Sequence, residues 1–168
     1  MNTKLIVLRG PSASGKSTVA KEVVKHSKRK VAWLEEDYFR RVILQAKEPP
    51  ETRREICKKM LTDNTQTLLR SGFDVILEGM LSKKHYTPTL RDLIAEHGDE
   101  SYLFHFNVSL DETLRRHRTK AIADDVSESQ LREWYGAGAP LGINAEVSIP
   151  ESYSQSEVVE FITRTTGL

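Results

Sequence analysis

The residues best equipped for chemistry form one short run, Gly10-Pro11-Ser12-Ala13-Ser14-Gly15-Lys16-Ser17-Thr18. The spacing Gly-x-x-x-x-Gly-Lys-Ser is the Walker A pattern, and each position has a physical reason. Glycines let the backbone curl until successive N–H groups point inward, forming a nest for phosphate oxygens. A helix opening near Lys16 adds the positive end of its dipole to that nest. Lys16 is expected to reach the β- and γ-phosphates and to take part in catalysis, while the Ser17 hydroxyl is expected to ligate Mg²⁺. ATP with Mg²⁺ is thus the expected ligand. The nucleotide-binding set is Gly10, Ser12, Ala13, Ser14, Gly15, Lys16, Ser17 and Thr18.

Three further places could serve transfer of a phosphoryl group. Asp37 follows the apolar run Val31-Ala32-Trp33-Leu34. The carboxyl ends of parallel strands line the ligand crevice in open α/β sheets, so a carboxylate there faces the γ-phosphate. It could take the proton of an acceptor hydroxyl. Arg40 and Arg41 lie three and four residues on, on the same helical stripe, where one of them could orient the base or hold the acceptor. Glu78 ends the run Phe73-Asp74-Val75-Ile76-Leu77 and could hold a Mg²⁺-bound water or contact the acceptor. Arg115 and Arg118, in a basic stretch closing a helix, could share a face and supply cations to the transferring group from a lid over residues 115–130. Each has a plainer reading as a helix cap, a strand-end polar residue or a solvated basic turn.

These residues need a frame. Apolar runs at residues 5–8, 31–34, 73–77, 102–108 and 146–149 alternate with helical stretches. That order predicts a three-layer α/β domain of about five parallel strands flanked by helices. Capping-box patterns begin at Thr52, Ser109, Ser127 and Ser154, and Thr87-Pro88 offers a cap with proline at the first helical position. Gly98 could end that helix. Phe39, Val42, Ile43 and Ala46 predict the apolar face of a helix that stops before Pro49-Pro50.

With 168 residues the chain is expected to be one domain spanning residues 1–168. Its net charge of +1 argues against non-specific nucleic-acid binding. No apolar run is long enough for a membrane span, the N-terminal one is too short for a signal-peptide core, and Cys57 is the only cysteine. A cytoplasmic location and no membrane partner are expected. Trp134, Tyr135, His105 and Cys57 read as packing residues, and His85 and Tyr86 sit where an acceptor would enter.

The phosphate loop, the acid after the second strand and the arginine-bearing lid together resemble the small P-loop kinases. These include chloramphenicol phosphotransferase, the zeta-toxin kinases and the kinase domain of polynucleotide kinase. The segment from Val75 to Leu81, with Arg115-Arg116-His117 and Trp134-Tyr135, is similar to bacterial uridine-kinase-like proteins. The resemblance implies a P-loop kinase fold, Asp37 as base and the lid arginines within residues 115–118. Acids and an arginine stand in a slightly different register in polynucleotide kinase, which leaves Glu36 open beside Asp37. The expected activity is transfer of the γ-phosphoryl group to a hydroxyl of a small molecule. A nucleic-acid 5′ end is a less favoured acceptor. Two other readings stay open: a nucleoside monophosphate kinase relying on Arg40, Arg41, Arg53 and Arg54, and a non-catalytic ATP-gated module.

Overall fold

The computed structural model describes residues 2–45, 49–118, 126–143 and 145–168. Five parallel strands, β1 (Leu5–Arg9), β2 (Val31–Glu35), β3 (Asp74–Gly79), β4 (Ser101–Asn107) and β5 (Glu146–Pro150), form one sheet in the order β2-β3-β1-β4-β5. β1 is central and buried along its whole length, as expected of a parallel strand covered on both faces. Its alternate side chains feed two cores. Leu5 and Val7 pack with Val75, Leu77, Leu103 and the helices α3 (Pro50–Arg70) and α4 (Lys83–His97). Ile6 and Leu8 pack with Ile76 and Phe104 against α1 (Lys16–His26) and α7 (Gln155–Thr166). This is the three-layer P-loop kinase fold.

Strand register decides what stands at the carboxyl edge. Glu35 pairs with Glu78, and Gly79 with Arg9, so the ends of β2, β3 and β1 lie side by side. Two short helices, α5 (Leu110–His117) and α6 (Glu128–Tyr135), lie between β4 and β5 in the chain. Ser109, Ser127 and Ser154 cap α5, α6 and α7 as expected, and Gly98 ends α4.

Three local expectations are corrected. α3 starts at Pro50 rather than at a Thr52 cap, because proline at the first helical position gives up an N–H that has no helical partner anyway. α4 starts at Lys83, which puts Pro88 inside it. Tyr86 is buried against the core and holds the preceding turn helical, so tertiary packing outweighs the local proline signal. Beyond β2, α2 (Glu36–Tyr38) runs into a π-helical turn over Phe39–Ile43, closed by Leu44 N–H donating to Phe39 O. The wider turn rotates the expected stripe off the core. Phe39 is buried, but Val42 and Ile43 are 51% and 45% exposed. Ala46 lies outside the described residues. No helix among the described residues is long and apolar enough to cross a membrane.

Candidate active site

The phosphate loop joins β1 to α1. Gly10 has φ +146°, and a Cβ there would lie 2.7 Å from Phe106 O, so both conformation and space require glycine. Gly15, at φ +98°, precedes α1 with no side-chain cap. The first N–H groups of that helix therefore point into the loop, where an anion can accept them. Lys16 is buried and its Nζ donates to Pro11 O at 2.8 Å and Ser14 Oγ at 3.2 Å, so the ammonium lies across the loop it would serve.

Two clefts meet at Gly15. One encloses about 290 Å³ between Ser14, Thr18 and Val19 on one side and Pro150, Glu151 and Tyr153 on the other. Arg116 closes it: Nη1 donates to Ser14 O at 3.2 Å and Nη2 to Glu151 O at 3.3 Å, while Nε meets Glu112 at 2.6 Å. The second encloses about 410 Å³ and is lined by Lys16 and Ser17, by Glu35, Glu36, Asp37 and Glu78, and by Arg40, Arg41 and Arg54.

Carboxylates crowd the start of the second cleft. Glu78 is 2% exposed and its Oε2 has no hydrogen-bond partner. Burial pushes its pKa up to about 7; the Lys16 ammonium and the Ser17 hydroxyl pull against that, and the Glu35 and Asp37 carboxylates add to it. Glu35 is likewise raised, by burial and then by Asp37. No group of three His, Cys, Asp or Glu side chains among the described residues could cage a metal ion. The donor set nevertheless fits Mg²⁺, which keeps several waters and typically takes one or two carboxylates together with substrate phosphates. Ser17 Oγ and the orphaned Glu78 oxygen are the groups that would hold it.

Asp37 and Glu36, both open from the sequence, stand in different surroundings. Glu36 is buried, and its Oε2 accepts from Leu81 N–H at 3.0 Å. Its Cβ and Oε2 would lie 2.6 and 2.7 Å from a Cβ on Gly79, so the acid is wedged into the joint between α2 and β3. Asp37 is half exposed and borders the cleft, 3.6 Å from Arg40 and 3.7 Å from Arg41.

The lid arginines are arranged otherwise than their spacing suggested. Arg115 forks onto Glu112 at 2.6 and 2.7 Å, and Arg118 meets Glu128 at 2.7 Å; their side chains are 70% and 67% exposed. Neither is brought to the phosphate loop, whereas Arg116 is. The reason is the buried face of α5, set by Thr113, Leu114 and His117. Arg115 points away from that face, and Arg116 and Arg118 flank it on opposite sides. Residues 119–125, the middle of the expected lid with Asp124 and Asp125, lie outside the described residues. Trp134 packs on Leu114, Val126 and Leu131 and also borders the second cleft, and Tyr135 donates to Val108 O at 3.0 Å.

Sequence reasoning missed Arg9. It is fully buried at the end of β1, with Nη1 on Glu146 at 2.8 Å and Nη2 on Ala139 O at 2.8 Å and Leu81 O at 3.3 Å. Glu146 in turn accepts from Leu141 N–H at 2.7 Å. The pair pins the segment after α6 beneath the phosphate loop, where a Cβ on Gly138 would lie 2.7 Å from Pro11 N. An arginine closing an otherwise apolar central strand was the available signal.

A parallel sheet with this phosphate loop and two clefts meeting on it defines a small P-loop kinase-like protein. Residues 5–139 match the AAA domain family, and the chain belongs to it. No curated protein matches the sequence. Among solved structures the chain is similar to the APS kinase CysC of Mycobacterium tuberculosis in complex with AMPPNP and APS, at 18% identity over 99% of both chains with a TM-score of 0.74. It is similar to a gluconokinase from Sinorhizobium meliloti 1021, at 18% identity over 99% of this chain and 93% of that one, TM-score 0.71. A chain of the Pnkp1/Rnl/Hen1 RNA repair complex matches at 20% identity over 81% of this chain and 43% of that one, TM-score 0.65. At these identities the likeness is one of fold.

Proposed function

We propose that the protein is an ATP·Mg²⁺-dependent phosphotransferase that moves the γ-phosphoryl group to a hydroxyl of a small molecule. The observation that carries this reading is the meeting of two clefts at Gly15. A nucleotide hydrolase needs one ligand cleft and a water, whereas a second cleft of about 410 Å³ beyond the loop suits a second substrate. The base and sugar of ATP occupy the first cleft beneath Arg116. The phosphates lie on the loop N–H groups, and Lys16 transfers its hydrogen bonds from Pro11 and Ser14 to them. Magnesium, when bound, neutralises charge on the β- and γ-oxygens.

Asp37 stands on the acceptor side and takes the hydroxyl proton as the acceptor oxygen bonds to phosphorus. The bond from phosphorus to the β–γ bridging oxygen breaks, and ADP carries that electron pair away. Arg40 and Arg41, 3.6 and 3.7 Å from Asp37, hold its carboxylate in place. The reading is tested with γ-labelled ATP against nucleosides, nucleoside monophosphates, sugars, aminoglycosides and 5′-hydroxyl oligonucleotides, beside Lys16→Ala. A labelled product lost in that control is expected. Asp37→Asn should lower turnover on the order of 10²-fold with ATP affinity retained. Unchanged turnover in Asp37→Asn refutes the base, and ATP binding without transfer to any acceptor refutes the kinase.

A further inference from the structure

The second cleft carries charge of both signs. Glu35, Glu36, Asp37 and Glu78 line it together with Lys16 of the phosphate loop. The lining also draws Arg54 from α3, His85 from α4, and Arg40 and Arg41 from the π-helical turn, so three separate elements bring basic side chains to one space. Arg40 faces Asp37 at 3.6 Å and Glu36 at 3.8 Å, and Arg41 faces Asp37 at 3.7 Å. Arg54 is half-buried and has no hydrogen bond or ion pair among the described residues. An arginine on a cleft wall without a counter-charge has all its donors available to an anionic ligand. His85 reports the same field: burial and then the charges of Arg54, Lys84 and Lys58 lower its proton affinity, with Glu55 opposing them.

We propose that the acceptor carries an anionic group, a phosphate or a carboxylate, remote from its reactive hydroxyl, and that Arg54 and His85 hold that group in this cleft. This rests on the phosphotransferase reading of the same site. The hold of Arg54 and His85 on the anion then orients the acceptor within the cleft they share with Asp37. The hydroxyl is left facing Asp37. Arginine suits the task because its planar fork matches either anion with two hydrogen bonds.

Matched acceptor pairs test the proposal: a nucleoside against its 3′-monophosphate, and an aldose against the corresponding aldonate. A charge-assisted hydrogen bond of this kind is expected to raise kcat/KM for the anionic member by about 10-fold or more. Arg54→Gln should bring the ratio between members toward one, chiefly through KM. Equal use of both members in every pair, or an unchanged ratio in Arg54→Gln, overturns it. So does preference for a 5′-hydroxyl oligonucleotide over all small anionic acceptors.

A binding measurement separates this proposal from the kinase reading. With the nucleotide cleft filled by Mg²⁺ and a non-hydrolysable ATP analogue, inorganic phosphate and acetate are titrated while the His85 ring resonances are followed. A saturable shift that disappears in Arg54→Gln, with folding verified by thermal unfolding, supports the anion subsite even if no acceptor is phosphorylated. No shift with either anion overturns it even if a kinase activity is found.

Discussion

Replacing Glu78 by glutamine should make the nucleotide-free protein more stable while damaging its activity, and the size of the gain follows from the structure. The carboxyl is almost fully buried, one oxygen lacks a partner, and the pKa stands at about 7 against an ordinary 4.5. A carboxyl whose pKa is raised by folding binds its proton more tightly in the native state than in the unfolded chain. The native protein therefore loses stability as pH climbs from the unfolded value toward about 7 and recovers none of it above. At about 1.4 kcal/mol per tenfold shift in proton affinity, the full penalty at pH 8 is about 3 kcal/mol at most. Glutamine keeps the shape and can still bond Ser17, but carries no charge to bury. Urea unfolding from pH 5 to 8.5, with EDTA and without nucleotide, should show wild type and Glu78→Gln nearly together at pH 5. The variant should pull ahead as pH rises and level off near pH 8, about 1–3 kcal/mol more stable. Parallel curves across the range, or a variant less stable at pH 8, would refute the argument that burial governs this group. Phosphoryl transfer by the same variant should fall, because the oxygen that would meet the metal's water is gone.

Two other perturbations address the loop and its neighbours. Gly138→Ala forces a Cβ to 2.7–2.8 Å from the backbone of Pro11, which cannot move without disturbing the phosphate loop. It should cost about 1–3 kcal/mol in chemical denaturation and weaken binding of an ATP analogue by calorimetry. Gly136→Ala, with φ −63° and no atom within 4 Å of the added carbon, should stay within about 0.5 kcal/mol of wild type. Arg116→Ala should weaken the ATP analogue roughly 10-fold by removing a charged donor beside Ser14. Arg115→Ala should change affinity less than about twofold, since that guanidinium is turned to Glu112 and solvent. Equal losses in the two arginine variants would refute the assignment by face.

How far the sequence could be read depended on whether the signal was local. Gly10, Gly15, Lys16 and Ser17 are legible because the nest is built from consecutive residues and from a helix that begins among them. The five strands were legible because each is a short apolar run set apart from the next by polar or helical stretches. The arginines of α5 were harder, because their direction is set by which side of the helix Leu114 and His117 bury, and spacing within the arginines alone does not report it. Glu36 and Asp37 are adjacent acids that sequence could not separate. What separates them is Gly79, on a strand some forty residues away, whose missing side chain leaves the space Glu36 fills. Pro88 misled for the same reason in reverse, as a sound local signal that packing elsewhere outweighs, whereas Thr52 lost to a second local signal, the proline at the first helical position.

The strand order explains why the pairing of Glu35 with Glu78 escaped notice. Sequence order puts β1 before β2, but in the sheet β3 stands between them. Glu35 and Glu78 therefore become register neighbours at the carboxyl edge, with Arg9 and the phosphate loop next along. Two acids side by side, a third at Asp37 and a buried ammonium at Lys16 are individually ordinary residues at strand and helix ends. Only the topology makes them one electrostatic unit, and within it each charge alters the others: Lys16 restrains the rise at both Glu35 and Glu78. A sheet edge optimised for stability would separate these carboxylates or replace them. Their place beside a phosphate loop fits a cation that arrives with the nucleotide, and the stability cost of Glu78 in nucleotide-free protein measures how strongly the site is prepared for that cation.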